Sequence, residues 1–123
     1  MDKEVLVRSG QALVRRLDDT AIKPRAVLWV HNPDNDLWRL WIVGKRGMKD
    51  QEFYRIVADV ITKNREEVSG IDISSVELID DTHPAIMGMR GFIKISGLGS
   101  AYVSNNTMNG FFMPDGIILR MDI

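Results

Sequence analysis

Small and apolar residues recur at helical spacing near the start of the chain. They follow one another every three or four positions, with two valines beside them: Leu6, Gly10, Leu13 and Leu17, and Val5 and Val14. This spacing predicts an amphipathic helix over residues 2–18. Pro24 disfavours helix at the residue before it, so a different element is expected to begin at Arg25.

The stretch RAVLWVHNPDNDLWRLWIV, residues 25–43, contains all three tryptophans of the chain. Two runs rich in β-branched and aromatic residues, 25–31 and 37–43, lie on either side of NPDND. Asn, Pro and Asp favour turn geometry, so the stretch predicts a β-hairpin.

The faces of this hairpin depend on how its strands pair, because strand side chains alternate between faces. Pairing His31 with Leu37 gives one wholly apolar face: Ala26, Leu28, Val30, Trp38, Leu40 and Ile42. The other face is mixed: Arg25, Val27, Trp29, His31, Leu37, Arg39, Trp41 and Val43. This register predicts that Trp38 lies in the core and that Trp29 faces Arg39. A shift of one residue would undo the assignment.

The rest of the chain predicts further helices and strands. Apolar residues in 50–65 have helical spacing, and residues 73–79 alternate as a strand does. The stretch DDTHPAIMGMRGFIKISG predicts a third helix at its start, and residues 92–95 within it fit either a helix or a strand. Two turn signals divide the tail, Asn109-Gly110 and Pro114-Asp115-Gly116. We expect one α+β domain over residues 1–123, with a largely antiparallel sheet, about three helices and the order α-β-β-α-β-α-β-β, with or without a last strand.

Composition narrows the classes of function. The 123 residues carry a formal net charge of -1 and no cysteine. The balanced charge argues against the long-range attraction that non-specific nucleic-acid binders use, and the lack of cysteine excludes disulfides and thiolate chemistry. No apolar run approaches the ~18 residues of a membrane span, and the N-terminus does not resemble a signal peptide. We therefore expect a soluble cytoplasmic protein without membrane association.

Asp80, Asp81, Thr82 and His83 combine two carboxylates with an imidazole. Such a set can form part of a metal site or the acid/base pair of a small enzyme. An acidic or hydroxyl residue before His83-Pro84 also fits a helix N-cap. Because the sequence places no further ligands nearby, we expect Asp81 or Thr82 to cap the third helix, with no metal, no cofactor and no catalytic residue.

Lys45, Arg46 and Lys49 immediately precede the second helix. Three cations beside the free amides of a helix N-terminus favour a weak anion site, although a small basic loop is usually just solvated surface. Together with Trp41 as a stacking platform, these cations would suit a nucleotide or nucleic-acid binder.

Trp29, Arg39, Trp41 and His31 on the mixed hairpin face match the composition of protein interfaces. One of the helices of the same chain is an equally good cover for that face. The favoured hypothesis is a non-enzymatic module that binds a protein partner, either another protein or a second copy in a homodimer. A nucleotide or nucleic-acid binder is the second hypothesis, and a small enzyme built on Asp80, Asp81 and His83 is the third.

The tail SGLGSAYVSNNTMNGFFMPDGIILRM, the ALVRRLDD helix and the AVLWVHNPDNDLWRLWI hairpin resemble a group of short bacterial proteins of unknown function. The resemblance spans most of the chain and includes no catalytic motif. It implies a shared fold and a bacterial cytoplasmic setting, and it carries over no activity and no site residue.

Overall fold

The structure is a computed structural model that describes residues 2–104, 106–108 and 110–123. In that part of the chain the helices are α1 (Lys3–Leu17), α2 (Asp50–Lys63) and α3 (Pro84–Met89), with one 3₁₀ turn at Ile73–Ser75. The strands are β1 (Ala26–Asn32), β2 (Leu37–Val43), β3 (Val76–Leu78), β4 (Ala101–Val103), β5 (Asn106–Met108), β6 (Phe111–Met113) and β7 (Gly116–Met121). The predicted α+β class is confirmed, and the order agrees up to the tail, which forms four short strands.

The predicted first helix is confirmed as α1. Its N-cap is Asp2, whose carboxylate accepts a hydrogen bond from the Glu4 amide at 3.0 Å. Leu6, Leu13 and Leu17 are buried on one stripe, as the spacing predicted.

Five strands form one mixed sheet in the order β3-β2-β1-β7-β4, and β5 and β6 form a separate two-stranded sheet. The β2–β3 pair is parallel, whereas the other neighbours in the large sheet are antiparallel. The chain therefore passes from β2 through α2 to β3, and both of these strands end at the same edge of the sheet.

The predicted hairpin register was wrong by one residue. Leu37 pairs with Asn32, so Trp38 lies opposite His31. The cause lies in the turn, where the side chain of Asn32 accepts a hydrogen bond from the Asp34 amide at 2.9 Å. Asp36 then takes a left-handed φ of 55°, which Asp tolerates better than most residues, and the loop is one residue shorter than expected.

The corrected register places Trp29 and Trp38 on one face of the sheet and Trp41 on the other. The first face packs beneath α1 and α2 with a core that includes Val27, Trp29, Leu40, Ile42, Phe53, Val57, Ile117 and Leu119. The second face packs against α3 and β6 with a core that includes Ala26, Leu28, Val30, Trp41, Val43, Ile86, Met89, Met113 and Ile118. Strand β1 is thus covered on both faces.

The start of α3 differs from the prediction that Asp81 or Thr82 would cap it. His83 is the N-cap, and its Nδ1 accepts a hydrogen bond from the Ala85 amide at 3.1 Å. Residues 92–95 form neither a helix nor a regular strand, since Ile95 makes only an isolated bridge to Met121. The expected Asn109-Gly110 turn includes Asn109, which lies outside the described residues.

Arg120 on β7 ties the N-terminal helix to the sheet. Its side chain is nearly buried and donates to both carboxylate oxygens of Asp18, at 2.6 and 3.0 Å. It also donates to the carbonyl oxygens of Pro24 and Gly97. The hydrogen bond with Asp18 raises the pKa of Arg120. This ion pair joins segments that are far apart in the sequence.

Candidate functional site

A cleft of about 200 Å³ opens where the parallel strands β2 and β3 end. Loop 44–49 follows β2 and loop 79–83 follows β3, and the two loops meet because the carboxyl ends of parallel strands share one edge. The lining includes six charged residues: Arg25, Lys45, Arg46, Asp50, Asp80 and Asp81. The structure therefore brings together two charged motifs that lie about 35 residues apart in the sequence.

Asp81 is the centre of an ion cluster in this cleft. One of its carboxylate oxygens accepts from Arg25 at 3.0 Å and from Arg46 at 3.1 Å. The hydrogen bonds from Arg25 and then Arg46 lower the pKa of Asp81, so its carboxylate is ionised at neutral pH. The Nε of Arg25 also donates to the Gly44 carbonyl at 2.9 Å, which fixes this arginine against the loop.

The two arginines differ in exposure, and this difference decides which of them a ligand can reach. The Arg25 side chain is 28% exposed and donates to two groups of the protein. The Arg46 side chain is 82% exposed and, among the described residues, is held by a single ion pair, with Asp81. Most of the five N–H donors of the Arg46 guanidinium therefore face solvent at the mouth of the cleft.

The structure brings together only two of the three cations of the predicted anion site. Lys45 and Arg46 line the cleft, whereas Lys49 is not part of the lining and stands at the N-cap of α2 without capping it through its side chain. Asp50 and Glu52 in the first turn of α2 reduce the attraction for an anion there. The attraction is therefore concentrated at the mouth of the cleft, on Lys45 and Arg46.

The residues of the acid/base hypothesis each have a structural partner. Asp80 accepts from the amide and hydroxyl of Thr82, both at 3.0 Å, and Asp81 holds the two arginines. His83 packs edge-on between Trp41 and Phe111, with ring centroids 4.9 Å from each. Burial lowers the pKa of His83, so its ring is neutral at pH 7. Among the described residues, no hydrogen bond joins the His83 ring to the carboxylate of Asp80 or Asp81.

The described residues were also compared with the ligand groups of metal sites. Among residues 2–104, 106–108 and 110–123, no three His, Asp or Glu side chains are grouped as metal ligands.

The residues of the predicted partner-binding face do not share a surface. Trp29 is 1% exposed, and its Nε1 donates to the Leu6 carbonyl of α1 at 2.8 Å. Trp41 is 8% exposed and lies on the opposite face of the sheet. Arg39 pairs with Glu77 at 3.0 Å, and His31 lies 2.7 Å from a carboxylate oxygen of Asp36. The expectation of an open surface lined by Trp29 and Trp41 was wrong, because the chain covers both indoles itself.

Sequence reasoning missed the role of Arg25 and the meeting of the two loops. Arg25 directly precedes β1, and its backbone amide bonds to the Val43 carbonyl at the end of β2. A prediction that β2, α2 and β3 form a parallel β–α–β unit would have placed loops 44–49 and 79–83 together.

Comparisons of the chain with family models, with curated proteins and with solved structures gave no match. In the described part of the chain, no helix has both the length and the apolar character needed to cross a bilayer. The geometry of the cleft is therefore the basis of the functional proposal.

Proposed function

We propose that this chain is a protein-interaction module whose cleft receives an acidic group of a protein partner. The observation that carries the proposal is the Arg46 guanidinium, which is 82% exposed at the mouth of the cleft and oriented by the ionised Asp81. A guanidinium held in place by one carboxylate keeps its other donors ready for a second acid. Lys45 adds a second cation to the same rim.

The size of the cleft favours one inserted group over a whole nucleotide. Sites for drug-sized ligands and cofactors have volumes of roughly 300–1,000 Å³. The cleft has about 200 Å³, which suits a single carboxylate and its stem. Arginine is also enriched among residues that dominate protein interfaces.

The nucleotide hypothesis loses its aromatic platform in this geometry. Trp41 is packed against His83 and Phe111 and is therefore not open to a base. The net charge of -1 provides little attraction for a polyanion. A cytoplasmic setting is part of the proposal, and the partner is another protein rather than a nucleic acid.

The test is an NMR titration of the ¹⁵N-labelled full chain with a blocked tetraglutamate peptide. We expect saturable shifts of the amides in loops 44–49 and 79–83. Arg46→Gln should weaken this binding at least about fivefold, because it removes the charge-assisted donor. Lys63→Gln is the matched control, since Lys63 is also largely exposed, at 71%, but lies at the far end of α2 and pairs with Asp59.

Two outcomes would contradict the proposal. One is a set of small, non-saturating shifts at basic residues all over the surface. The other is saturable binding of a mononucleotide at the same amides, more tightly than the peptide. The mass of the protein by light scattering then tells whether the chain itself supplies the partner, because a homodimer would be detected without any peptide.

A further inference from the structure

A second pocket lies on the opposite side of the hairpin from α3, where the turn after β1 approaches α1. Its volume is about 230 Å³. It is lined by Leu6, Trp29, Asp36, Leu37, Trp38, Gly70 and Ser75. None of these residues belongs to the cleft described above.

Two of the three tryptophans of the chain line this pocket. Trp29 is 1% exposed and fixed by its hydrogen bond to the Leu6 carbonyl, so it supports the floor from below and its ring face is not open to a ligand. Trp38 is half-buried and forms a wall, and the His31 ring packs on it with centroids 4.8 Å apart. The pocket therefore has a rigid aromatic lining whose position is determined by the sheet.

The charge at the pocket is negative. Asp36 is the one charged side chain among the described residues that line it. A hydrogen bond from His31 lowers the pKa of Asp36, so the carboxylate is ionised at neutral pH. Asp36 is also exposed, which leaves the carboxylate open to a ligand as well as to His31.

We propose that this pocket binds a small organic ammonium cation. Indole rings attract cations through their electron-rich faces, and the half-buried Trp38 indole beside the Asp36 carboxylate combines that attraction with a direct charge interaction. The exposed Leu37 side chain suits the methyl or methylene groups of such a cation. At about 230 Å³ the pocket is too small for a drug-sized ligand and matches a compact alkylammonium group.

The experiment compares choline with 3,3-dimethylbutan-1-ol, which has the same shape without the charge. Both are titrated into the ¹⁵N-labelled full chain while the three indole N–H signals are followed by NMR. Choline should shift the Trp38 indole saturably and leave Trp41 unmoved, because Trp41 lies on the other face of the sheet. The neutral alcohol should bind at least about fivefold more weakly.

Two variants test the carboxylate. Asp36→Asn should weaken choline binding at least about fivefold, because it removes the charge while Asn still tolerates the left-handed φ at this position. Asp34→Asn is the matched control in the same turn and should bind as the wild type does. Equal binding of the alcohol, unchanged binding by Asp36→Asn, or an indole response confined to Trp41 would each overturn the proposal.

Discussion

Replacing Trp41 with alanine tests the corrected register of the hairpin. The structure places Trp41 in the core formed by β1, β2, α3 and β6, and Trp38 at a half-buried position on the other face. The register inferred from the sequence gave the opposite ranking, with Trp38 in the core and Trp41 at a partner surface. The two substitutions therefore separate the two registers.

The magnitude follows from burial. A fully buried Trp→Ala change costs about 3–5 kcal/mol, as lost transfer free energy plus a residual cavity. Trp41 is 8% exposed, and the substitution also removes its ring contact with His83. The cost of Trp41→Ala is therefore expected near the upper part of that range. Trp38 is only partly buried, so Trp38→Ala should cost about 1.5–2.5 kcal/mol. For a chain of this length, loss of about 4 kcal/mol lowers Tm by roughly 10–20 °C.

The assay is urea denaturation followed by far-UV circular dichroism, which does not depend on tryptophan fluorescence. We expect both variants to retain the wild-type m-value, with the midpoint of Trp41→Ala clearly below that of Trp38→Ala. Trp41→Phe should recover most of the loss, because it refills much of the cavity. A lower midpoint for Trp38→Ala than for Trp41→Ala would refute the register in which Trp38 pairs with His31.

Three other substitutions have defined outcomes. Asp18→Asn should lower the free energy of unfolding by about 2–3 kcal/mol in the same assay. The loss is smaller than for a fully buried pair because Asp18 is 39% exposed. It is still large because the substitution leaves the charge of Arg120 uncompensated. Gly10→Ala should also destabilise the protein, since the Cβ of the new alanine would lie 2.9 Å from the Trp29 Nε1. The ~1 kcal/mol gained in helix propensity offsets only part of an overpacking cost of about 1–3 kcal/mol. Burial lowers the pKa of His83, so its contribution to stability is complete above about pH 6.5 and is lost as the pH falls toward its folded pKa. His83→Asn, which keeps an N-cap acceptor without titrating, should flatten the stability profile between pH 7.5 and 5; an unchanged profile would exclude this role.

The sequence by itself determined the elements whose signals are local. The helical spacing of apolar residues in α1 and α2 is repeated over several turns, so few alternatives compete with it. The two strands of the hairpin were likewise evident from their β-branched and aromatic residues. The α+β class followed from the order of these elements.

The sequence predicted the two halves of the candidate site separately but not that they lie together. The cations Lys45 and Arg46 and the carboxylate Asp81 were each identified in the sequence. These residues come together only if β3 pairs in parallel with β2. That pairing joins residues far apart in the sequence and depends on how α2 packs across the sheet. A local pattern carries no information about which strand becomes the neighbour of which.

The face of each tryptophan was decided by the tertiary structure for a similar reason. Side chains in a strand alternate with a period of two, so a shift of one residue in pairing moves a whole strand's side chains to the other face. That shift depended on whether Asn32 ended β1 or began the turn, which its own hydrogen bond to the Asp34 amide decided. Composition determined that the tryptophans would be mostly buried, and the length of one turn determined which of them share a face.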